Sequence, residues 1–189
     1  NPFFIHLAFN SPHYPLHAWP EDIAKYRGKY KMGWEELRKR RHARQIELGL
    51  LDPKWKLSPT DSKSYDWSGA NQDWEDLRMA TYAAMVDRMD QNIGKVLKTL
   101  KELRLEDNTV VMFLSDNGGC TEEPGGRDDS QQPGIVSTYT AVGPAWGWAQ
   151  NTPFRRYKSW VHEGGISTPL ITRWPGHVKP ASMTGQLGH

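Results

Sequence analysis

The most regular apolar pattern in the chain runs from Asp73 to about Leu103 and repeats every three to four positions. This spacing matches the period of an α-helix and places the apolar side chains on one face. The apolar positions are Tyr82, Met85, Val86, Met89, Ile93, Val96, Leu97, Leu100 and Leu103. The pattern predicts one long amphipathic helix with Asp73 as its N-cap, and it assigns the methionines to the core.

A different pattern follows the helix, with five consecutive apolar residues at 110–114 between polar neighbours. A short unbroken run of this kind suits a strand that is buried on both faces of a sheet. Residues 3–9 and 168–175 read as two further strands. Because a helix that leads into a strand is half of a βαβ unit, these patterns predict an α/β fold.

The remaining segments predict little regular structure. A short helical turn is predicted near residues 21–26, and a largely exposed helix from Trp34 to Leu48. Segments 51–72 and 120–151 are rich in Pro, Gly, Ser and Asp and are predicted to be irregular. Within the second one, Trp146 and Trp148 are predicted to line a substrate cleft.

Composition excludes several classes of protein. The 189 residues carry 24 basic and 22 acidic side chains, a net charge of +2, which gives no case for a nucleic-acid or acidic-membrane partner. No apolar run approaches the roughly 18 residues of a membrane span. The single cysteine, Cys120, cannot form an internal disulfide, and the acidic residues after it disfavour a reactive thiol.

Polar residues of complementary chemistry follow the predicted strands. Asp116 and Asn117 come after the 110–114 run and offer oxygen ligands to Ca²⁺ or Mg²⁺, although these residue types alone favour a plain turn. His13 lies between two prolines after the first strand, and Lys158 precedes a Gly-Gly pair. An exposed lysine is the commoner reading of Lys158 taken alone. Together the four residues would make an anion site.

Several short motifs in order resemble the sulfatase family, and in particular its arylsulfatase branch. They are Phe3-Phe4, Pro12-His13-Tyr14-Pro15, Tyr26-Arg27-Gly28, Leu114 to Gly118, Tyr157-Lys158 with Glu163-Gly164-Gly165, and Arg173 to Gly176. The resemblance implies hydrolysis of sulfate monoesters by an alkaline-phosphatase-like α/β/α sandwich with a mixed central sheet. It implies that residues 1–189 are the C-terminal part of a catalytic domain.

The resemblance also implies roles for individual residues. Asp116 and Asn117 would hold Ca²⁺, with Mg²⁺ as the alternative, while His13 and Lys158 would contact the sulfate. The family's nucleophile is a formylglycine made within a Cys/Ser-x-Pro/Ala-x-Arg motif, and that motif is absent here. Both ends look cut, so we expect the nucleophile on a missing N-terminal part and no turnover by this chain alone.

The resemblance implies a sulfated small molecule or carbohydrate as substrate, and a secreted, periplasmic or lysosomal location. Two alternatives stay open from the residues. One is a phosphatase or phosphonate hydrolase of the same superfamily. The other is a non-catalytic, carbohydrate-binding relative that uses the nine tryptophans.

Overall fold

A computed structural model describes residues 2–60, 66–124 and 126–188. Its regular elements, in chain order, are α1 (Pro20–Ala24), α2 (Gly33–Glu47), α3 (Gln72–Glu102), a 3-10 turn (Glu106–Asn108), β1 (Val111–Leu114), α4 (Gly143–Gln150), α5 (Glu163–Ile166) and β2 (Leu170–Arg173). Within these ranges no helix is long and apolar enough to cross a membrane. The presence of both helices and strands agrees with the α/β fold class predicted from the sequence.

The long helix α3 confirms the predicted 3.6-residue period, but its N-cap differs from the prediction. The side chain of Asn71 accepts a hydrogen bond from the backbone N–H of Trp74 and caps the helix. Asp73 lies inside the first turn and pairs with Lys31 instead. The buried Asp76 accepts backbone N–H groups from the loop after α1, so α3 also fixes that loop.

The predicted strand at 110–114 forms as β1, but its predicted burial on both faces is wrong for this chain. β1 pairs antiparallel with β2, from Val111 opposite Arg173 to Leu114 opposite Leu170. Met112 in β1 is 60% exposed. Among the described residues the ribbon has no covering layer, so its apolar side chains remain at the surface.

The predicted N-terminal strand at 3–9 does not form in the described part of the chain. The segment has no regular secondary structure, and Phe4 is 91% exposed. After it the chain turns at residues 10–15, where the peptide bonds before Pro12 and Pro15 are both cis. This turn carries His13, whose backbone N–H donates to the carbonyl of Asn10.

The core is built around tryptophans rather than around the sheet. Trp146 and Trp148 lie on α4 and are fully buried, so the prediction that they line a cleft is wrong. Trp146 packs edge-on against Trp34 of α2, with ring centroids 5.4 Å apart. Helix α4 also shows that segment 120–151, predicted irregular, contains one regular element.

Most residues of helix α2 are exposed or half-buried, in line with the prediction of a largely exposed helix, but Arg38 enters the core as Trp34 does. The guanidinium of Arg38 lies 3.5 Å from the centre of the Trp148 ring, a cation–π contact. It also donates hydrogen bonds to the carbonyl and hydroxyl oxygens of Ser58. The arginine thereby ties segment 51–60 to the tryptophan core.

Candidate functional site

Lys158 and His13 meet although they are 145 residues apart in sequence. The ammonium of Lys158 lies 3.4 Å from Nε2 of His13. His13 stands on the turn at 10–15, and Lys158 on the loop between α4 and α5. The structure thus brings together the two residues predicted from sequence to contact an anion.

The loop of Lys158 is fastened to the turn that follows β1. The backbone N–H of Lys158 donates to the carbonyl of Gly119 at 3.2 Å, and that of Gly118 to the carbonyl of Gly165 at 3.0 Å. Gly118 has to be glycine, since an added Cβ would stand 1.8 Å from the carbonyl oxygen of Gly164. The turn and the lysine loop therefore form one backbone unit.

Asp116 and Asn117 belong to this same turn, and their side chains have no bonding partner among the described residues. Asp116 is exposed and Asn117 half-buried. Within the described residues, neither side chain takes part in a hydrogen bond or ion pair, and no direct bond joins either one to His13 or Lys158. The carboxylate and the amide oxygen are therefore available as ligands for a hard cation.

Glu122 completes the cluster and was not predicted. Its Oε2 accepts a hydrogen bond from the Tyr14 hydroxyl at 2.9 Å and lies 3.3 Å from the ammonium of Lys158. The bond from Tyr14 holds the pKa of the Glu122 carboxyl below its usual range, and Lys158 adds to the effect. The same bond raises the pKa of Tyr14 to about 12.

Cys120 lies beside these groups, with its sulfur 3.9 Å from the ammonium of Lys158 and 3.5 Å from Oε2 of Glu122. Burial is the main cause that raises the pKa of the thiol, and the Glu122 carboxylate adds to it. The raised pKa agrees with the prediction from sequence that the thiol is not reactive. Burial, which the sequence did not indicate, raises this pKa more than the acidic neighbour does.

The segment that carries Cys120 and Glu122 is anchored on both sides. A Cβ on Gly147 would lie 2.3 Å from the Thr121 side chain, so glycine in α4 admits this segment against the helix. Glu123 pairs with the buried Arg78 of α3. Arg78 also pairs with Glu75, whose carboxylate accepts the indole N–H of Trp146 at 2.8 Å. The site therefore rests on the tryptophan core.

A cleft of about 530 Å³ opens beside the same lysine loop. Trp55 and Phe154 form an aromatic pair along it, with ring centroids 6.1 Å apart. Lys56, Arg155 and His162 also line it. His162 and Glu163 lie here and not in the cluster around Lys158.

Solved structures show the same fold. Ps i-CgsB in complex with k-i-k-neocarrahexaose is 27% identical, with a TM-score of 0.50 over 94% of this chain and 24% of that one. The structure of Ps i-CgsB alone matches equally well at 26% identity. The chain thus has the predicted alkaline-phosphatase-like α/β fold class. Its described residues contain helices of this fold and a two-stranded antiparallel ribbon.

Related sequences narrow this class to a family. The family model described as Sulfatase matches residues 1–188. An uncharacterized sulfatase of Schizosaccharomyces pombe is 37% identical over 98% of this chain, and an arylsulfatase of Klebsiella aerogenes is 31% identical over 93%. Human N-acetylgalactosamine-6-sulfatase is 34% identical over 57% of the chain. The chain belongs to the sulfatase family. It spans 36% and 41% of the lengths of the first two relatives.

Proposed function

We propose that the chain supplies the anion-binding side of an active site that hydrolyses sulfate monoesters. The observation that carries the proposal is the convergence of His13 and Lys158, with 3.4 Å between Nε2 and the ammonium nitrogen. Both groups can donate hydrogen bonds to sulfate oxygens, His13 when its imidazole is protonated. Such donors stabilise the charge that develops in the transition state, each typically by several kcal/mol.

The contacts of Lys158 support an anion site at this position. Its ammonium already binds a carboxylate, that of Glu122, at 3.3 Å. A sulfate group presents the same kind of oxygen acceptor and would take the place of that carboxylate. The imidazole of His13 then lies next to the ester oxygen and, in its protonated form, donates the proton that the leaving alkoxide or phenoxide requires.

We propose Asp116 and Asn117 as ligands of Ca²⁺, with Mg²⁺ as the alternative. Their side chains suit a hard cation, because both offer oxygen atoms with no hydrogen-bond or ion-pair partner among the described residues. Ca²⁺ takes six to eight oxygen ligands, so further ones have to come from outside this pair. When bound, the ion neutralises charge on the sulfate oxygens. The neutral amide of Asn117 keeps the ligand set compatible with an anionic substrate.

The substrate we propose is a sulfated carbohydrate or a sulfated small molecule. The cleft beside Lys158 supports it, because Trp55 and Phe154 offer aromatic faces to a sugar ring while Lys56 offers a positive charge. One relative is named for N-acetylgalactosamine 6-sulfate chemistry, and Ps i-CgsB was solved with an oligosaccharide. The family resemblance further supports a secreted, periplasmic or lysosomal location.

The first test measures binding of inorganic sulfate to the purified chain by calorimetry. Lys158→Ala should weaken binding by about 10- to 100-fold, since a hydrogen bond to a charged group is worth about 1.5–3 kcal/mol. Lys98→Ala is the matched control, because Lys98 lies on the exposed side of α3 and its one ion pair within the described residues is with Glu102. Equal affinity of the Lys158 variant and the wild type would remove the basis of the proposal.

The second test is turnover of an aryl sulfate in the presence of Ca²⁺. The 189-residue chain contains no formylglycine motif, so we propose that it is inactive alone and that turnover requires a protein carrying the nucleophile. Activity of the chain alone that is abolished by Asp116→Ala would contradict this. In a protein that includes the nucleophile, preference for phosphate over sulfate esters would favour the phosphatase alternative.

A further inference from the structure

Three potential metal ligands of different chemistry lie together beside Lys158. They are the imidazole of His13, the thiol of Cys120 and the carboxylate of Glu122, whose ligand atoms all lie within 4.8 Å of one another. We propose that these three side chains bind a divalent transition metal of borderline softness, such as Zn²⁺. Such ions take imidazole, thiolate and carboxylate together, whereas Ca²⁺ and Mg²⁺ prefer an all-oxygen set.

Hydrogen bonds behind the cluster orient two of the three ligands. Nδ1 of His13 lies 3.0 Å from the carbonyl oxygen of Tyr14. Because a carbonyl oxygen only accepts, this bond places the ring hydrogen on Nδ1 and leaves a lone pair on Nε2, which faces the cluster. The Tyr14 hydroxyl donates to Oε2 of Glu122. Residues behind metal ligands commonly act in this way.

A cation already lies among the three ligand atoms. The ammonium nitrogen of Lys158 is 3.4 Å from Nε2 of His13, 3.3 Å from Oε2 of Glu122 and 3.9 Å from the sulfur of Cys120. The position therefore suits positive charge, and a metal ion would replace the ammonium there. Bonds of roughly 2.0–2.3 Å require the ligands to close in by roughly 1.2–1.6 Å. Exposure of His13 and Glu122 allows this movement.

The binding step is balanced in charge and protons. The S–H bond of Cys120 breaks, its proton passes to solvent, and the thiolate sulfur bonds to the metal. Thiolate and carboxylate together carry two negative charges, which the divalent ion neutralises, while the imidazole binds as a neutral ligand. A water molecule fills the fourth tetrahedral position.

The test uses Co²⁺ as a spectroscopic probe of the purified chain. Tetrahedral cobalt bound through a thiolate should produce a near-ultraviolet charge-transfer band and strong visible bands, with one ion per chain. Cys120→Ser should abolish the charge-transfer band. Tyr14→Phe, which removes the hydrogen bond behind Glu122, should weaken binding by about 10- to 100-fold. Stoichiometric Zn²⁺ should bleach the spectrum, and Ca²⁺ should not.

Two control variants separate this site from the proposed Ca²⁺ site and from adventitious binding. Asp116→Ala and His177→Asn should leave the cobalt spectrum unchanged. Lys158→Ala should tighten cobalt binding by removing the competing ammonium, although the same change should weaken sulfate binding. Metal and sulfate would compete for His13, and the opposite effects of Lys158→Ala show which of the two proposals has failed. A missing band, a band that persists unchanged in the His13→Asn variant, or displacement by Ca²⁺ would overturn the proposal.

Discussion

The substitution Gly118→Ala tests whether the turn that follows β1 and the lysine loop form one unit. An added Cβ would lie 1.8 Å from the carbonyl oxygen of Gly164 and 2.9 Å from Oδ1 of Asn151, and real Cβ contacts are essentially never under 3.0 Å. The first of these atoms belongs to the backbone, so no side-chain rotation relieves the clash. The turn has to move away from the lysine loop by more than an ångström.

The expected cost follows from two terms. Forcing an extra methyl group into a closely packed contact costs about 1–3 kcal/mol. The movement also breaks the hydrogen bond from the Gly118 N–H to the Gly165 carbonyl, worth about 0.5–1.5 kcal/mol. We expect a total loss of about 2–4 kcal/mol, which in a domain of this size lowers Tm by roughly 5–15 °C.

Urea denaturation measures the loss directly, with Gly94→Ala as the matched control. Gly94 lies on the exposed side of α3, and an added Cβ there meets nothing within 4 Å. Alanine should stabilise the helix at that position by up to about 1 kcal/mol. The same glycine-to-alanine change should thus lower the free energy of unfolding at position 118 and raise it at position 94. A Gly118 variant within about 0.5 kcal/mol of the wild type, a range typical of surface changes, would refute the reasoning.

Three further predictions concern the scaffold. Asn71→Ala should cost about 1 kcal/mol by removing the cap of α3, whereas Asp73→Ala should cost much less. Asp22→Asn should make the free energy of unfolding less dependent on pH in the acidic range. The Asp22 carboxyl pairs with Lys25 at 2.8 Å, and this contact lowers the pKa of the carboxyl. The contribution of the pair to stability is therefore present above about pH 4 and is lost as pH falls through the folded-state pKa. Glu75→Gln should cost about 3–5 kcal/mol, since it removes one partner of a buried ion pair.

Each of these predictions is checked by chemical denaturation against a specific contrary result. Equal losses for Asn71→Ala and Asp73→Ala would show that Asn71 is not the dominant cap. Parallel pH–stability curves for wild type and the Asp22 variant would remove the acid-linkage reasoning. A loss under 1 kcal/mol at Glu75 would mean that the remaining pairs of Arg78 compensate.

Local pattern predicted α1, α2 and α3 but neither α4 nor α5, and it predicted the environment of β1 poorly. The period of α3 is a property of neighbouring turns, so it can be read from sequence alone. The apolar run that forms β1 predicted a strand correctly, but burial of both faces depends on layers contributed by other segments. The described residues place only β2 beside it.

The tryptophans illustrate the same limit inside the core. Their number was known from sequence, and a cleft was the predicted location for Trp146 and Trp148. Both are buried because α4 forms within a segment rich in glycine and proline and packs against α2. Packing between distant segments determines the burial of these two tryptophans, and no periodic pattern in the sequence predicted it.

Residue chemistry in sequence order, together with the family resemblance, was enough to propose His13, Lys158, Asp116 and Asn117, because each follows a predicted strand or precedes a glycine pair. Only the tertiary structure showed that Lys158 meets His13, and that Glu122 joins them from a third segment. Pattern and residue type act within a few positions of the chain. The distances that make a site arise when backbone hydrogen bonds and close glycine contacts bring separate loops together.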